Sequence, residues 1–228
     1  MLRYIAKKPN CPNLWPDQSK CPFVINVSDM EKLRRETKYR MVAIGVSAGG
    51  FRALGAVLPQ LTKDFDLPVV VVQHTDPHAD TFLVDYLNSL CPLKVRQACE
   101  KDPIAAGAIY FAPPNYHLLV EHDRTFALSI EAPVNFARPS IDVLFETAAD
   151  VYGAHLVGVV LTGANSDGSQ GLKKIKALGG LTVVQDPATA EAVQMPKSAI
   201  VAAKVDYILP LLKIGPFLNR LARENHFE

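Results

Sequence analysis

Long apolar runs are missing from this chain of 228 residues. None approaches the ~18 consecutive apolar residues of a membrane-spanning helix, so no membrane insertion is expected. The N-terminus, MLRYIAKKPNCP, has no apolar h-region, which argues against secretion by a signal peptide. Charge of one sign is missing as well. The formal net charge is +1 and no block of Lys or Arg stands out, so no nucleic acid and no anionic membrane surface is implied as a partner. Cysteine is scarce, and Cys11, Cys21, Cys91 and Cys99 lie far apart in no zinc-like pairing. They read as reduced thiols of a cytoplasmic protein. No metal and no cofactor is implied. The G-x-G-x-x-G fingerprint is absent too, and no Lys completes a P-loop.

Present instead is enough apolar sequence, 49% hydrophobic against 21% charged, for one α/β domain with a sizeable core. Residues 1–40 differ from the rest. Pro9, Pro12, Pro16 and Pro22 precede a polar stretch, which predicts an irregular N-terminal arm with room for one short helix. Residues 41–228 read as the functional domain. Apolar strand-type runs are expected at Met41–Val46, Pro68–Gln73, Leu93–Ala98, Ala108–Ala112, His155–Leu161, Leu181–Gln185 and Tyr207–Leu209. Helical spacing is expected after Gly50 and over Thr81–Leu90, Pro139–Tyr152, Gly168–Leu178, Gln194–Ala203 and Leu211–Arg223. Tyr116–Val120 and Thr125–Ile130 flank His122-Asp123-Arg124 as a hairpin. The alternation predicts an α/β fold: a doubly wound, mainly parallel sheet in a Rossmann-like three-layer arrangement, with an added antiparallel hairpin.

The stretch MVAIGVSAGGFRALG reads as strand, tight turn and helix with a serine at the turn. Gly45-x-Ser47-x-Gly49 has the spacing of a nucleophile elbow. It would also suit an ordinary βα connection or a phosphate-binding loop. The backbone N–H groups of Ala48, Gly49 and Gly50 open a helix, and such groups can hold an oxyanion. Ligands of parallel sheets bind beyond the carboxyl ends of the strands. Ser47, His74 and Asp167 all follow strands there. Alone, His74 reads as a loop-bonded histidine and Asp167 as the N-cap of the helix it precedes. His78, His117, His122 and His155 read as turn, rim or strand residues. Together, Ser47, His74 and Asp167 supply a nucleophile, a base and a carboxylate that orients the base. The order Ser, His, Asp is not that of an α/β-hydrolase, since the only histidine after Asp167 is His226.

From about residue 41 to 210 the chain resembles the catalytic domain of chemotaxis protein-glutamate methylesterases. The resemblance runs through AIGVSAGGFRAL, VVVVQHTDP, AGAIYFAPPNYHLLVE, RPSIDVLFETAADVYG, GVVLTGANSDGSQGL and GGLTVVQDPATAEAVQMPKSAI, in order. It implies that Ser47, His74 and Asp167 form a catalytic triad. It also implies hydrolysis of glutamate γ-methyl esters on methyl-accepting chemotaxis receptors, with release of methanol, and deamidation of glutamine by the same route. Ala48 replaces the family's usual Thr, while Ala164 and Asn165 replace a Met and a Gly near the oxyanion site. The usual family member also carries an N-terminal receiver domain, where 40 residues stand here, so activity without a phosphodonor is expected. Two alternatives stay open: a weakly active signalling adaptor of the same fold, and a serine esterase for small molecules. A wide, shallow mouth would suit a protein helix, and a closed apolar pocket a small ester. Arg138 is expected either to meet an acidic receptor surface or to cap its helix in solvent. Asp167→Asn is expected to cost on the order of 10³- to 10⁴-fold in activity, by analogy with other triads, with little change in melting temperature.

Overall fold

A computed structural model describes residues 38–224. Most of the expected arm, residues 1–37, and His226 lie outside the described residues. The last arm positions do not behave as an arm: Tyr39 is buried, and Arg40 N–H donates to His155 O at 2.8 Å.

The elements follow in the order β1 (Met41–Val46), α1 (Gly50–Val57), β2 (Val69–Gln73), α2 (Phe82–Leu90), β3 (Lys94–Gln97), β4 (Ala108–Phe111), β5 (His117–Val120) and β6 (Phe126–Ser129). Next come α3 (Ile141–Tyr152), β7 (Leu156–Val160), α4 (Ser169–Ala177), β8 (Leu181–Gln185), α5 (Gln194–Ala202), β9 (Tyr207–Leu209) and α6 (Leu211–Glu224). Seven strands form a parallel sheet in the order β3-β4-β2-β1-β7-β8-β9. The hairpin β5–β6 is antiparallel and stands apart from it. The doubly wound expectation is met, and the element bounds shift by one or two residues. His155, expected in a strand, instead ends a short 3-10 turn before β7.

The two faces of β1 explain the layers. Alternate residues along a strand point to opposite faces. Val42, Ile44 and Val46 join a core with Leu54 and Val57 of α1, Leu87 of α2, and Ile214 and Leu218 of α6. Met41 and Ala43 join a second core with Leu144 and Phe145 of α3, Leu172 and Ile175 of α4, and Met195 of α5. All six residues of β1 are fully enclosed, as both covered faces of a parallel sheet require. Each fully buried aliphatic side chain contributes about 1.5–3 kcal/mol, so these cores, not the polar site above them, dominate folding.

Two glycines let α3 pack closely, one against the sheet and one against α4. A Cβ on Gly45 would lie 2.2 Å from Ile141 Cγ2, so the first residue of α3 rests directly on β1. A Cβ on Gly171 would lie 2.4 Å from Phe145 Cβ, so α3 and α4 cross closely. The first glycine of Gly45-x-Ser47-x-Gly49 therefore serves helix packing, and the turn itself is made further along.

Candidate active site

Three neighbouring strand ends build the floor. Ser47 follows β1, and its N–H donates to Thr162 O beyond β7 at 2.9 Å. His74 follows β2, and its N–H donates to Val46 O at 3.1 Å. The chain reverses at Gly49, whose φ of 78° is left-handed and suits glycine. Gly50 N–H then donates back to Ser47 O at 2.8 Å. Gln73 braces the same carbonyl: its Nε2 donates to Ser47 O at 3.1 Å and to His74 O at 2.8 Å. A Cβ on Gly50 would lie 1.9 Å from Gln73 Oε1, so the second glycine of the pair makes room for this amide. The Thr162 hydroxyl ties the turn from the other side, donating to Ala48 O at 2.8 Å and accepting Ala192 N–H at 2.8 Å.

The expected oxyanion set therefore needs correction. Gly50 N–H is already used within the turn, whereas Ala48 and Gly49 N–H have no partner among the described residues. Ser47, Ala48, Gly49 and His74 line one open hollow of about 580 Å³. Ser47 Oγ likewise has no hydrogen-bond partner among the described residues, which leaves its hydroxyl available to a bound molecule.

Across the hollow, His74 Nε2 lies 2.8 Å from Asp167 Oδ2. Asp167 is fully buried and receives four further donors. Ile141 N–H reaches Oδ2 at 2.7 Å, and Asp142 N–H reaches Oδ1 at 3.1 Å. Ser140 Oγ–H and Asn135 Nδ2–H reach Oδ1 at 2.9 and 3.0 Å. The reading of Asp167 as cap of its own helix is thus corrected. α4 has Gly168 at its cap with no side-chain bond, and the carboxylate instead caps the N-terminus of α3. Burial alone would push Asp167 up, but His74, Ile141 N–H and Asn135 outweigh it and hold the carboxyl below its usual range. An ionised carboxylate only accepts, so Nε2 of His74 carries the proton. In the neutral ring Nδ1 is then the free acceptor.

A second buried carboxyl stands beside the first. Asp142 Oδ1 accepts Gly171 N–H at 2.7 Å, and Oδ2 accepts the other Nδ2 proton of Asn135 at 2.9 Å. Burial pushes Asp142 up to about 6, and the Asp167 charge adds to this against the Gly171 and Asn135 hydrogen bonds. The folded state therefore holds this proton more tightly than the unfolded state, whose value is near 3.8. Its stabilising effect is fully present below pH 3.8 and is lost as pH rises through about 6. Thermal melts should fall more steeply from about pH 4 to 6 in the wild type than in Asp142→Asn, because only between the two values do the folded and unfolded states differ in this proton. Parallel slopes would show that Asp142 does not bind this proton.

His117 and Arg138 are structural here. His117 is buried; Ser140 N–H donates to its Nδ1 at 3.2 Å and its Nε2 donates to Ala132 O at 3.1 Å. It thereby holds Ser140 under Asp167. Arg138 donates through Nη2 to Asn115 Oδ1 at 2.6 Å and through Nη1 to Ile130 O at 2.7 Å and Glu131 O at 3.0 Å. Its guanidinium is spent on its own loop, which corrects both expectations for it. Asn165 Oδ1 accepts Asp167 N–H at 3.2 Å, and Ala164 is exposed. Gln73, Asn135, Ser140 and Asp142 have no signal in the sequence beyond lying near strand ends or at a helix start. Among the described residues no group of three His, Cys, Asp or Glu is placed to hold a metal ion. No helix among them is long and apolar enough to cross a membrane.

Known proteins resemble this chain along most of its length. The family model described as CheB methylesterase matches residues 42–218. A Leptospira interrogans protein named putative protein-glutamate methylesterase/protein-glutamine glutaminase is 56% identical over 82% of this chain and 97% of its own. A Symbiobacterium thermophilum protein-glutamate methylesterase/protein-glutamine glutaminase is 36% identical over 84% of this chain and 55% of its own. The crystal structure of the Thermotoga maritima CheB methylesterase catalytic domain superposes with a TM-score of 0.77 at 35% identity, over 80% of this chain and 98% of that one. Since the match runs from β1 into α6 and so spans the whole sheet, this chain belongs to the CheB methylesterase family.

Proposed function

We propose that residues 41–228 are a carboxylic ester hydrolase acting on glutamate γ-methyl esters of chemoreceptor signalling helices, with Ser47, His74 and Asp167 as its triad. One observation supports this most: a histidine sharing a hollow with a serine is bonded at 2.8 Å to a fully buried carboxylate. Ser47 Oγ attacks the ester carbonyl carbon while His74 Nδ1 takes its proton. The oxyanion is held by Ala48 and Gly49 N–H. Collapse breaks the C–O bond, and methanol leaves with the proton from His74. Water then attacks the acyl-enzyme with His74 again as base, releasing glutamate and restoring Ser47. With glutamine as substrate, ammonia leaves instead. The hollow is open at its mouth, which suits a polypeptide surface better than a small ester. Free Cys91 and Cys99 accord with a cytoplasmic setting. The protein should release methanol from methylated receptor membranes in proportion to enzyme added. No release, with the protein folded, would remove this reading.

A further inference from the structure

Between β6 and α3 the chain makes a two-residue turn whose second residue folding does not explain. Val134 N–H donates to Ala137 O at 3.1 Å and Ala137 N–H donates to Val134 O at 2.9 Å. Between them, Asn135 and Phe136 have φ of 51° and 62°. Two consecutive positive φ values define a turn that favours Asn first and Gly second. Asn135 fits. Phe136 does not: a bulky residue is disfavoured there, and its ring, 104% exposed, gains nothing from burial.

The turn is firmly held from within. Asn135 reaches inward, with one amide nitrogen bridging Asp142 and Asp167. Arg138 fixes the base of the loop through Asn115 and two loop carbonyls. The Phe136 ring therefore projects from a rigid mount. It lines a second hollow of about 430 Å³, with His74, Pro133 and Asn165 also in its wall. His74 and Thr75 thus border both hollows, one lined by Ser47 and the other by Phe136.

We propose that Phe136 is a specificity-determining residue that grips the substrate polypeptide beside the ester under attack. The inference rests on the esterase reading above and deepens it. The occupant is the segment bearing the ester, since a chain that delivers its ester to Ser47 extends past His74 on one side or the other. An exposed aromatic ring on a rigid turn is recognised by an apolar side chain flanking that ester. A short ester with no flanking chain cannot reach it.

Steady-state methanol release would be compared on methylated receptor membranes and on N-acetyl-glutamate γ-methyl ester amide. Loss of one aromatic anchor is worth about tenfold in affinity. In Phe136→Gly, kcat/KM for the receptor should fall about tenfold more than for the short ester, mostly through KM. Phe136→Leu should recover part of it. Phe136→Gly should melt no lower than the wild type, because glycine relieves the backbone. Equal losses on both substrates, no loss on the receptor, or a lowered melting temperature would each overturn the proposal. A wild type that hydrolyses neither substrate would overturn the esterase reading and this one with it. A wild type active on both, with Phe136→Gly unaffected, would overturn this one alone.

Discussion

Ser47→Ala should lower methanol release by roughly 10³- to 10⁶-fold, because triad members act as a unit and little remains once the nucleophile is gone. The fold should be untouched. Every structural bond of Ser47 is made by its main chain: N–H to Thr162 O, and C=O from Gly50 N–H and Gln73 Nε2. Alanine keeps all of them. Paired measurements of turnover on receptor membranes and of thermal melting test both halves. A variant with a tenth of wild-type turnover would remove Ser47 from the chemistry.

Asp167→Asn should cost both activity and stability. With geometry preserved, the wrong histidine tautomer alone costs on the order of 10⁴-fold in other triads. The stability loss departs from the sequence expectation that melting stays nearly unchanged. An asparagine replaces one accepting oxygen with an N–H₂ group. On the Oδ2 side this group would face His74 Nε2–H and Ile141 N–H. On the Oδ1 side it would face Ser140, Asn135 and Asp142 N–H. In its other tautomer His74 accepts from this group, but Ile141 N–H on the one side, or Asn135 and Asp142 N–H on the other, still lose their partner, at about 1–3 kcal/mol for each buried donor. At about 2–4 °C per kcal/mol for a chain of this size, melting should drop by roughly 2 °C or more. The sign with pH follows from the lowered carboxyl. Its contribution is fully present above the unfolded value near 3.8 and is lost as pH falls through the folded one. The gap between wild type and variant should therefore narrow in acid. An unchanged melting curve at neutral pH would mean that Asp167 serves the histidine alone.

The strands were legible because their signal is local. Val69–Val72 and Leu156–Leu161 are β-branched or apolar runs bounded by polar or Pro residues, and the strands they form lie where expected. Placing Ser47, His74 and Asp167 at one edge needed only the rule for parallel sheets. What each side chain bonds to was not legible, because the partners are remote in sequence. Asp167 looked like the cap of the helix beginning one residue later, yet its donors Ile141 and Asp142 come 26 and 25 residues earlier. Gln73 looked like the end of an apolar run, but its amide reaches a carbonyl 26 residues away. Asn135 sat in a stretch with no periodicity, and only the turn around it brings its amide between two carboxylates. Gly45 and Gly50 are positions of close approach, but what approaches them, Ile141 and the Gln73 amide, depends on tertiary packing.

His74 and Asp167 are 93 residues apart in the chain, and β1 lies between β2 and β7 in the sheet. The carboxylate reaches the histidine only after β7 has crossed back to pair with β1. Such long-range pairing is a slow step, since loop closure precedes the contacts that reward it. During synthesis the emerging N-terminal part thus holds Ser47 and His74 without the group that orients the ring. A nascent or half-folded chain would carry a nucleophile with no competent base, and hydrolysis would begin only when the central sheet is complete. Recovery of activity on refolding should therefore track protection of the β1–β7 amides against hydrogen exchange, and lag the first formation of helix.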